Sequence, residues 1–457
     1  MTAALPETSV ISALDRLERR IERGLRELPL VRASGAVTEI SMSHYRVAGL
    51  SRFVKLGDCV AVEGGDRDQI GEVVKIDGAG ATLKPFAARC ATVIGARASR
   101  TRNLALAPDP SWKGRVIDAL GRPIDGTGEL AHGVRAVAVD AEPPPALRRA
   151  RIATPVQTGV RVVDLFTPIC LGQRIGVFAG SGVGKSSLLA MLARAPHFDT
   201  VVIGLVGERG REAREFLDER VGKERASVVA VVATGDESPM MRRLAPKTAM
   251  AVAEYFRDRG ESVLLIVDSV TRYAHAARDV ALAAGEPAVA RGYAPSVFSE
   301  LPRLLERAGP GEEGAGTITA VFSVLVDGDD HNDPVADAIR GALDGHIVLD
   351  RAIADEGRYP AVNILSSVSR LANVVWTPEQ SRLVGNLRSL IARYEETRDL
   401  RLMGGYAAGA DPLLDKAVKS APRIYDAMRQ SPDTPPCEDP FIALAAALRS
   451  DAKAVEV

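Results

Sequence analysis

The stretch "VFAGSGVGKSSLLAML" at 177–192 sets a glycine-rich turn between an apolar run and an apolar helix start. In order it reads Ala179, Gly180, Ser181, Gly182, Val183, Gly184, Lys185, Ser186 and Ser187. A turn that opens a helix in this way aims the backbone N–H groups of 180–185 into one concavity. The positive end of the helix dipole adds to them, and the result is a cradle for phosphate. Lys185 is placed to bridge the outer phosphates of a nucleotide, and the Ser186 hydroxyl to ligate Mg²⁺. Ala179 stands where such loops usually begin with glycine, and an extended entry to the turn does not require one.

Two carboxylates belong to the same chemistry. The apolar run "VLLIV" ends at Asp268, which puts an acid at the C-terminal edge of a parallel sheet, where open α/β folds bind their ligands. Asp268 is expected to hold Mg²⁺ directly or through water. Glu208 follows another apolar run in "GLVGERGREA", just past the strand end, where it can orient and activate an attacking water. Arg209 and Glu212 stand close enough in sequence to reach phosphate and a magnesium-bound water. Together these residues specify hydrolysis of a nucleoside triphosphate.

The elements that must carry them follow from hydrophobic period. From 151 to about 370 the chain alternates helices with near-continuous β-branched runs ("RIGVFAG", "TVVIGLVG", "SVVAVVAT", "VLLIVDS", "TITAVFSVL"), the pattern of strands covered on both faces. Residues 30–97 read instead as five or six short strands broken by Gly and Asp, a small barrel. A connector rich in turns and proline (Pro143, Pro144, Pro145) leads into the α/β core, so that 98–370 form one unit. Residues 371–457 read as mainly helical. At the other end Leu14, Leu17, Ile21, Leu25 and Leu28 mark an amphipathic helix within 1–29, and Pro29 sets it apart as an arm that docks a partner. The expected fold class is α/β: barrel, parallel-sheet phosphate-loop core, helical C-terminus.

Composition excludes other classes. With 58 basic and 59 acidic side chains in 457 residues, the net charge is -1, which fits no general nucleic-acid binder. Residues 31–97 offer only Tyr45, Phe53 and Phe86 as aromatics, too few for an RNA-binding barrel of a ring-shaped RNA translocase. Cys59, Cys90, Cys170 and Cys437 are scattered without a CxxC pair, as expected for reduced cytosolic thiols. No secretory signal is visible at the start, and the longest apolar runs, such as "FIALAAAL" at 441–448, fall far below the ~20 residues that span a bilayer. Membrane contact, if any, is expected to be peripheral.

The order "VQTGVRVVDLFTPICLGQRIGVFAGSGVGKS", "GERGREA", "LLIVDSVTRYA", "YPAVNILSSVSR" resembles that of hexameric rotary-type ATPases over nearly the whole chain. Within them, "FAGSGVGKSSLL", "RYAHAARDVALAAGEPAVARGYAPSVFSELPRLLERAGPG" and "DGDDHNDPVADAIRGALDGHIVLDR" are similar to the type III export ATPases. Flagellar and virulence-system members share all three stretches; overall similarity of the N-terminal and barrel segments favours the flagellar branch. The resemblance implies that Glu208 is the catalytic base, that Arg370 in "SVSR" is an arginine finger reaching a neighbouring subunit's site, and that Tyr359 of "RYPAV" stacks on adenine. Tyr406 in "GGYAAGADP" is expected to complete that pocket. It further implies a homohexamer, a stator-like regulator on the N-terminal helix, a central stalk protein, and export substrates with their chaperones. A membrane export gate at the cytoplasmic face of the inner membrane is the implied peripheral contact. No acidic "DELSEED"-like lever is found in the C-terminal helices, which suits hydrolysis rather than the alternative, a rotary ATP synthase's catalytic subunit.

Overall fold

The computed structural model describes residues 33–64, 68–326 and 333–450, together with Glu18. Apart from Glu18, the arm expected over 1–29 lies outside the described residues, as do 327–332 and 451–457. The chain forms two units, one closing at Arg102 and the other made of Phe86–Ala88 and everything from Asn103.

In the first unit six antiparallel strands, β1 (Ser34–Ile40), β2 (Tyr45–Ala48), β3 (Cys59–Val62), β4 (Gln69–Ile76), β5 (Ala81–Pro85) and β6 (Arg97–Arg100), close a barrel in the order β1-β2-β5-β4-β3-β6. Alternation does the work: Val37, Tyr45, Val47, Val60, Val62, Val73 and Leu83 point inward and are buried together. Closure leaves no unpaired strand edge. Ala98 and Ser99 pair with both β1 and β3, so the barrel runs past residue 97 to Arg100. Gly35 is required by close approach, since a Cβ there would lie 2.1 Å from the Ala48 carbonyl oxygen.

The second unit is built on β7 (Val116–Asp118), β8 (Arg174–Ala179), β9 (Thr200–Val206), β10 (Val228–Ala233), β11 (Ser262–Asp268), β12 (Thr317–Leu325), β13 (Gly345–Leu349) and β14 (Val368–Ser369). Their order is β14-β13-β8-β12-β11-β9-β10-β7, and every pair is parallel except β13 with β14. The apolar runs predicted to be covered on both faces are so: every residue of β9 and β10 is buried. The phosphate-loop strand β8 lies between β12 and β13; the connection from β8 runs to β9 on one side of it, and that from β12 runs to β13 on the other. That is the topology that opens a crevice at the strands' C-terminal ends.

Three helices frame that edge: α1 (Lys185–Ala193), α2 (Pro239–Arg257) and α3 (Val270–Ala283). Ser269 caps α3, its hydroxyl accepting from the Arg272 N–H, so β11 passes into helix within one residue of Asp268. The C-terminal helices α4 (Pro378–Glu396), α5 (Pro412–Met428) and α6 (Pro440–Ser450) contribute Val384, Leu387, Ile391, Ile424, Met428 and Leu444 to the same apolar core as β8, β9 and α1. They form one packed body with the sheet, which matters because one wall of the nucleotide cavity comes from their connecting segment.

Candidate active site

Register brings the chemistry together. Ala179 lies opposite Leu325 on β12 and Leu349 on β13, while Asp268 lies opposite Leu205 on β9. The phosphate loop, Asp268 and the Gly207–Glu208 turn therefore emerge from one edge of one sheet. Gly182 and Gly184 hold φ of 78° and 89°, left-handed values that favour glycine and turn the loop back onto α1. Gly184 is also the residue before the first turn of α1, so Lys185 and Ser186 stand at a helix N-terminus.

Lys185 reaches across β12 to the far carboxylate. Its ammonium donates to Asp268 and lies 3.8 Å from Glu208 Oε1. Asp268 is buried, and the Ser323 hydroxyl, from the adjacent position of β12, donates to the same oxygen at 2.9 Å. Glu208 is 20% exposed. Burial first, and then the negative charge of Asp268, raise its carboxyl above the ordinary glutamate value; Lys185 and Arg272 act against that rise. A carboxylate with enhanced basicity, next to a buried cation, suits proton abstraction from water.

The base end of the site is a cavity of about 500 Å³ beside Gly184, Ser187, Leu188 and Met191 of the loop and α1. Tyr359 and Pro360 line it from the segment after β13, and Arg429–Pro432 with Thr434 from the segment after α5. The Tyr359 ring lies against the loop: a Cβ on Gly184 would stand 3.2 Å from it. Gln430 fixes this wall, its N–H donating to the Tyr359 carbonyl at 2.9 Å and its side-chain amide to the Gly159 carbonyl at 2.8 Å.

Four expected members lie elsewhere in this structure. Arg209 leads the short helix Gly210–Glu215, and its guanidinium, 83% exposed, takes the Glu212 carboxylate at 2.9 Å instead of facing Lys185. Glu212 is held on that outer side by the same contact, although its charge still adds to the rise at Glu208. Tyr406 is not among the residues lining the cavity, because its hydroxyl donates to Asp415 on α5 at 2.7 Å. Arg370 follows β14 at the opposite edge from its own loop. Its N–H donates to Asp344, whose N–H donates to Arg174, the first residue of β8, both at 2.9 Å. From there to Ala179 the strand rises roughly 16 Å, beyond the reach of one side chain.

Sequence reasoning missed Ser323, Arg272 and the wall at 429–434. Ser323 had a signal, as the lone serine inside the apolar run "TITAVFSVL". Arg272 had a weaker one, four residues past Asp268. Nothing in the local pattern marked 429–434, whose place depends on how α5 packs.

The model of the ATP synthase alpha/beta family nucleotide-binding domain matches residues 159–369, and that of the T3SS EscN ATPase C-terminal domain matches 376–441. A flagellum-specific ATP synthase of Agrobacterium fabrum is 56% identical over 419 residues, 92% of this chain and 89% of the relative. The chain belongs to the flagellar and type III secretion ATPase family. The flagellum-specific ATP synthase of Rhizobium meliloti is 54% identical, across 98% of this chain and 96% of its own length. The SPI-2 type 3 secretion system ATPase of Salmonella typhimurium is 46% identical, across 83% and 87%. Among solved structures, the assembled ATPase EscN of the enteropathogenic E. coli type III secretion system superposes with a TM-score of 0.84 at 39% identity. That likeness covers 91% of this chain and 99% of EscN. This family member is an ATPase, with the barrel, parallel sheet and C-terminal helices expected of it. Among the described residues no helix is long and apolar enough to cross a membrane.

Proposed function

We propose that the chain hydrolyses Mg-ATP and so energises protein export by a bacterial flagellar type III apparatus. The observation that carries the chemistry is the position of Lys185, held between Asp268 and Glu208 at the end of a phosphate cradle. The flagellar reading rests on the relatives of that name, at 54–56% identity over most of the chain against 46% for the SPI-2 enzyme.

The outer phosphates of ATP draw Lys185 off Asp268 into the cradle of amides at 180–185. Glu208 takes a proton from the water that attacks the γ-phosphorus; the bond to the β-phosphate oxygen breaks, and ADP and phosphate leave. Tyr359 stacks on the base in the cavity behind Gly184. Ser186, exposed on the first turn of α1, and buried Asp268 form a hard-oxygen pair that suits Mg²⁺. Among the described residues no cluster of three or more His, Cys, Asp or Glu competes with it. Ser186 and Asp268 would hold Mg²⁺ as two of its oxygen ligands, and the ion would supply neutralisation of charge on the phosphates. Arg209 completes the phosphate contacts by leaving Glu212.

Arg370, too far from its own loop, serves a neighbour's site, and the likeness to the assembled EscN supports a homohexamer as the arrangement that supplies that neighbour. A central stalk protein is supported by EscN, solved in complex with its central stalk EscO at a TM-score of 0.81 to this chain. A stator-like regulator on the N-terminal helix, export substrates with chaperones, and peripheral contact with an export gate at the cytoplasmic face of the inner membrane complete the reading. Nucleic acid has no part in it. The purified chain should hydrolyse ATP in the presence of Mg²⁺, and its gene should restore motility to a bacterium that lacks its flagellar ATPase. Turnover without restored export would retain the enzyme and sink the flagellar assignment.

A further inference from the structure

The second residue past the end of β13 reaches back to the phosphate loop. Arg351, capped into the short helix Arg351–Asp355 by Asp350, donates from its guanidinium to the carbonyl oxygen of Ser181 at 3.0 Å. Its base is fixed: Asp350 accepts from the Ala352 N–H and from the Asn363 side-chain amide, each at 2.9 Å.

The consequence lies in the peptide plane. In a trans peptide the C=O and the following N–H point in opposite directions. A guanidinium that holds the Ser181 carbonyl therefore fixes the Gly182 N–H on the opposite side of that peptide, the side the proposal below assigns to the cradle. This is also the peptide least able to hold itself. Gly182 sits at φ 78° with no atom within 4 Å of where a Cβ would be, and Ser181 and Gly182 are both exposed. Glycine enters positive φ about as readily as negative, so rotation of this plane is cheap unless something outside the loop stops it. A charged donor is well suited, since hydrogen bonds to ionised groups are roughly twice as strong as neutral ones. It also withdraws electron density through the amide and makes the Gly182 N–H a better donor.

We propose that Arg351 is a positioning residue for the triphosphate: it fixes the Ser181–Gly182 peptide so that the Gly182 amide is aimed at phosphate before the nucleotide arrives. The inference rests on the ATPase reading of the same loop. Arg351 acts through the loop, not on the γ-phosphate, so its loss is a loss of affinity. A loop that must first select one of two peptide orientations binds more weakly by the fraction of time spent in the right one.

The test uses the full-length protein. The sequence has two Ser–Gly pairs, Ser34–Gly35 in the barrel and Ser181–Gly182 in the loop. Carbonyl-¹³C serine with ¹⁵N glycine therefore lights two amide signals, one of them a built-in control. In nucleotide-free Arg351→Ala the Gly182 signal should shift or broaden while Gly35 stays in place. Kd and KM for ATP should rise about 10-fold, kcat should stay within 2-fold, and Arg351→Lys should recover part of the affinity. Affinity for adenosine, which lacks phosphates, should not change. Wild-type protein without ATP turnover would refute the ATPase reading itself. With wild type active, three results would overturn the role of Arg351: an unmoved Gly182 signal, unchanged ATP affinity, or equal loss for ATP and adenosine, which would mean that Arg351 supports the Tyr359 pocket.

Discussion

The Lys185 ammonium rests on the Asp268 carboxylate, with the two side chains only 11% and 5% exposed. Each therefore satisfies a charge that burial would otherwise make costly, and phosphate competes for the lysine against a carboxylate already in contact with it. When the lysine leaves, the Ser323 hydroxyl is the contact that still orients Asp268. Lys185→Ala should abolish nucleotide binding, since the loop loses its only point charge. Ser323→Ala should keep binding and lower kcat about 10-fold, the cost of one hydrogen bond to a charged group. Isothermal titration with a non-hydrolysable ATP analogue, alongside steady-state turnover, separates the two. Equal loss of binding in both variants would remove Ser323 from the catalytic edge.

Glu208→Gln separates binding from chemistry in another way. The amide keeps the size of the side chain but cannot accept the proton of water, so ATP should still bind while turnover falls roughly 10²–10⁴-fold. The pH profile carries a second check. Burial and the Asp268 charge raise the Glu208 carboxyl, so the base protonates at a higher pH than an exposed glutamate. On the acid side, kcat/KM should therefore begin to fall above the ordinary glutamate range. Asp268→Asn removes one of the charges that cause the rise and should move that limb to lower pH. A limb that stays put in Asp268→Asn would assign it to another group.

How much of this was legible in the sequence depends on whether a residue's partner is local. Lys185, Ser186 and Asp268 could be placed because strand, turn and helix follow one another within a few residues, and the sheet edge does the rest. The parallel core and the barrel were legible for the same reason, through period and turn residues. Tyr406 and Arg209 went elsewhere because carboxylates close by in sequence, Asp415 and Glu212, took their polar heads. Ser323 and the wall at Arg429–Thr434 reach the site only through strand order and the packing of α5. Those are long-range facts that no local pattern encodes.

A buried acid outside the chemistry gives a stability test. Asp164 accepts from the Thr158 N–H, the Thr158 hydroxyl and the Gly159 N–H, at 2.9, 2.6 and 2.9 Å, in the turn that also meets Gln430. Desolvation outweighs these bonds and lifts its carboxyl from 3.8 to about 6. A folded value above the unfolded one means that the native state holds the proton more tightly. Stability from this group is then full below pH 3.8, declines as pH rises through about 6, and is flat beyond. The decline is on the order of 3 kcal/mol. Asp164→Asn cannot titrate, so urea unfolding should show the wild-type advantage over the variant shrinking between pH 4 and 6. A constant difference across that range would place the titration elsewhere.

The last prediction concerns sites shared between chains. Arg370 is exposed and tied through Asp344 to the start of β8, while the loop stands at that strand's other end. On the function proposed above, one polypeptide carries a base for its own site and a cation for a neighbour's. An arginine supplied in trans is worth ~10³–10⁵ in rate, by neutralising charge on the transferring phosphoryl group. Activity per chain should therefore rise steeply with protein concentration as rings assemble, and Arg370→Ala should flatten the rise while leaving ATP binding intact. Mixing Arg370→Ala chains with Glu208→Gln chains is the sharper experiment. Where an Arg370→Ala subunit offers its intact Glu208 to the intact Arg370 of a Glu208→Gln neighbour, one complete site is restored. Two inactive proteins should then regain a fraction of wild-type turnover that follows the mixing ratio and peaks near equal amounts. If mixtures that co-assemble by light scattering stay inactive, Arg370 does not act across the interface.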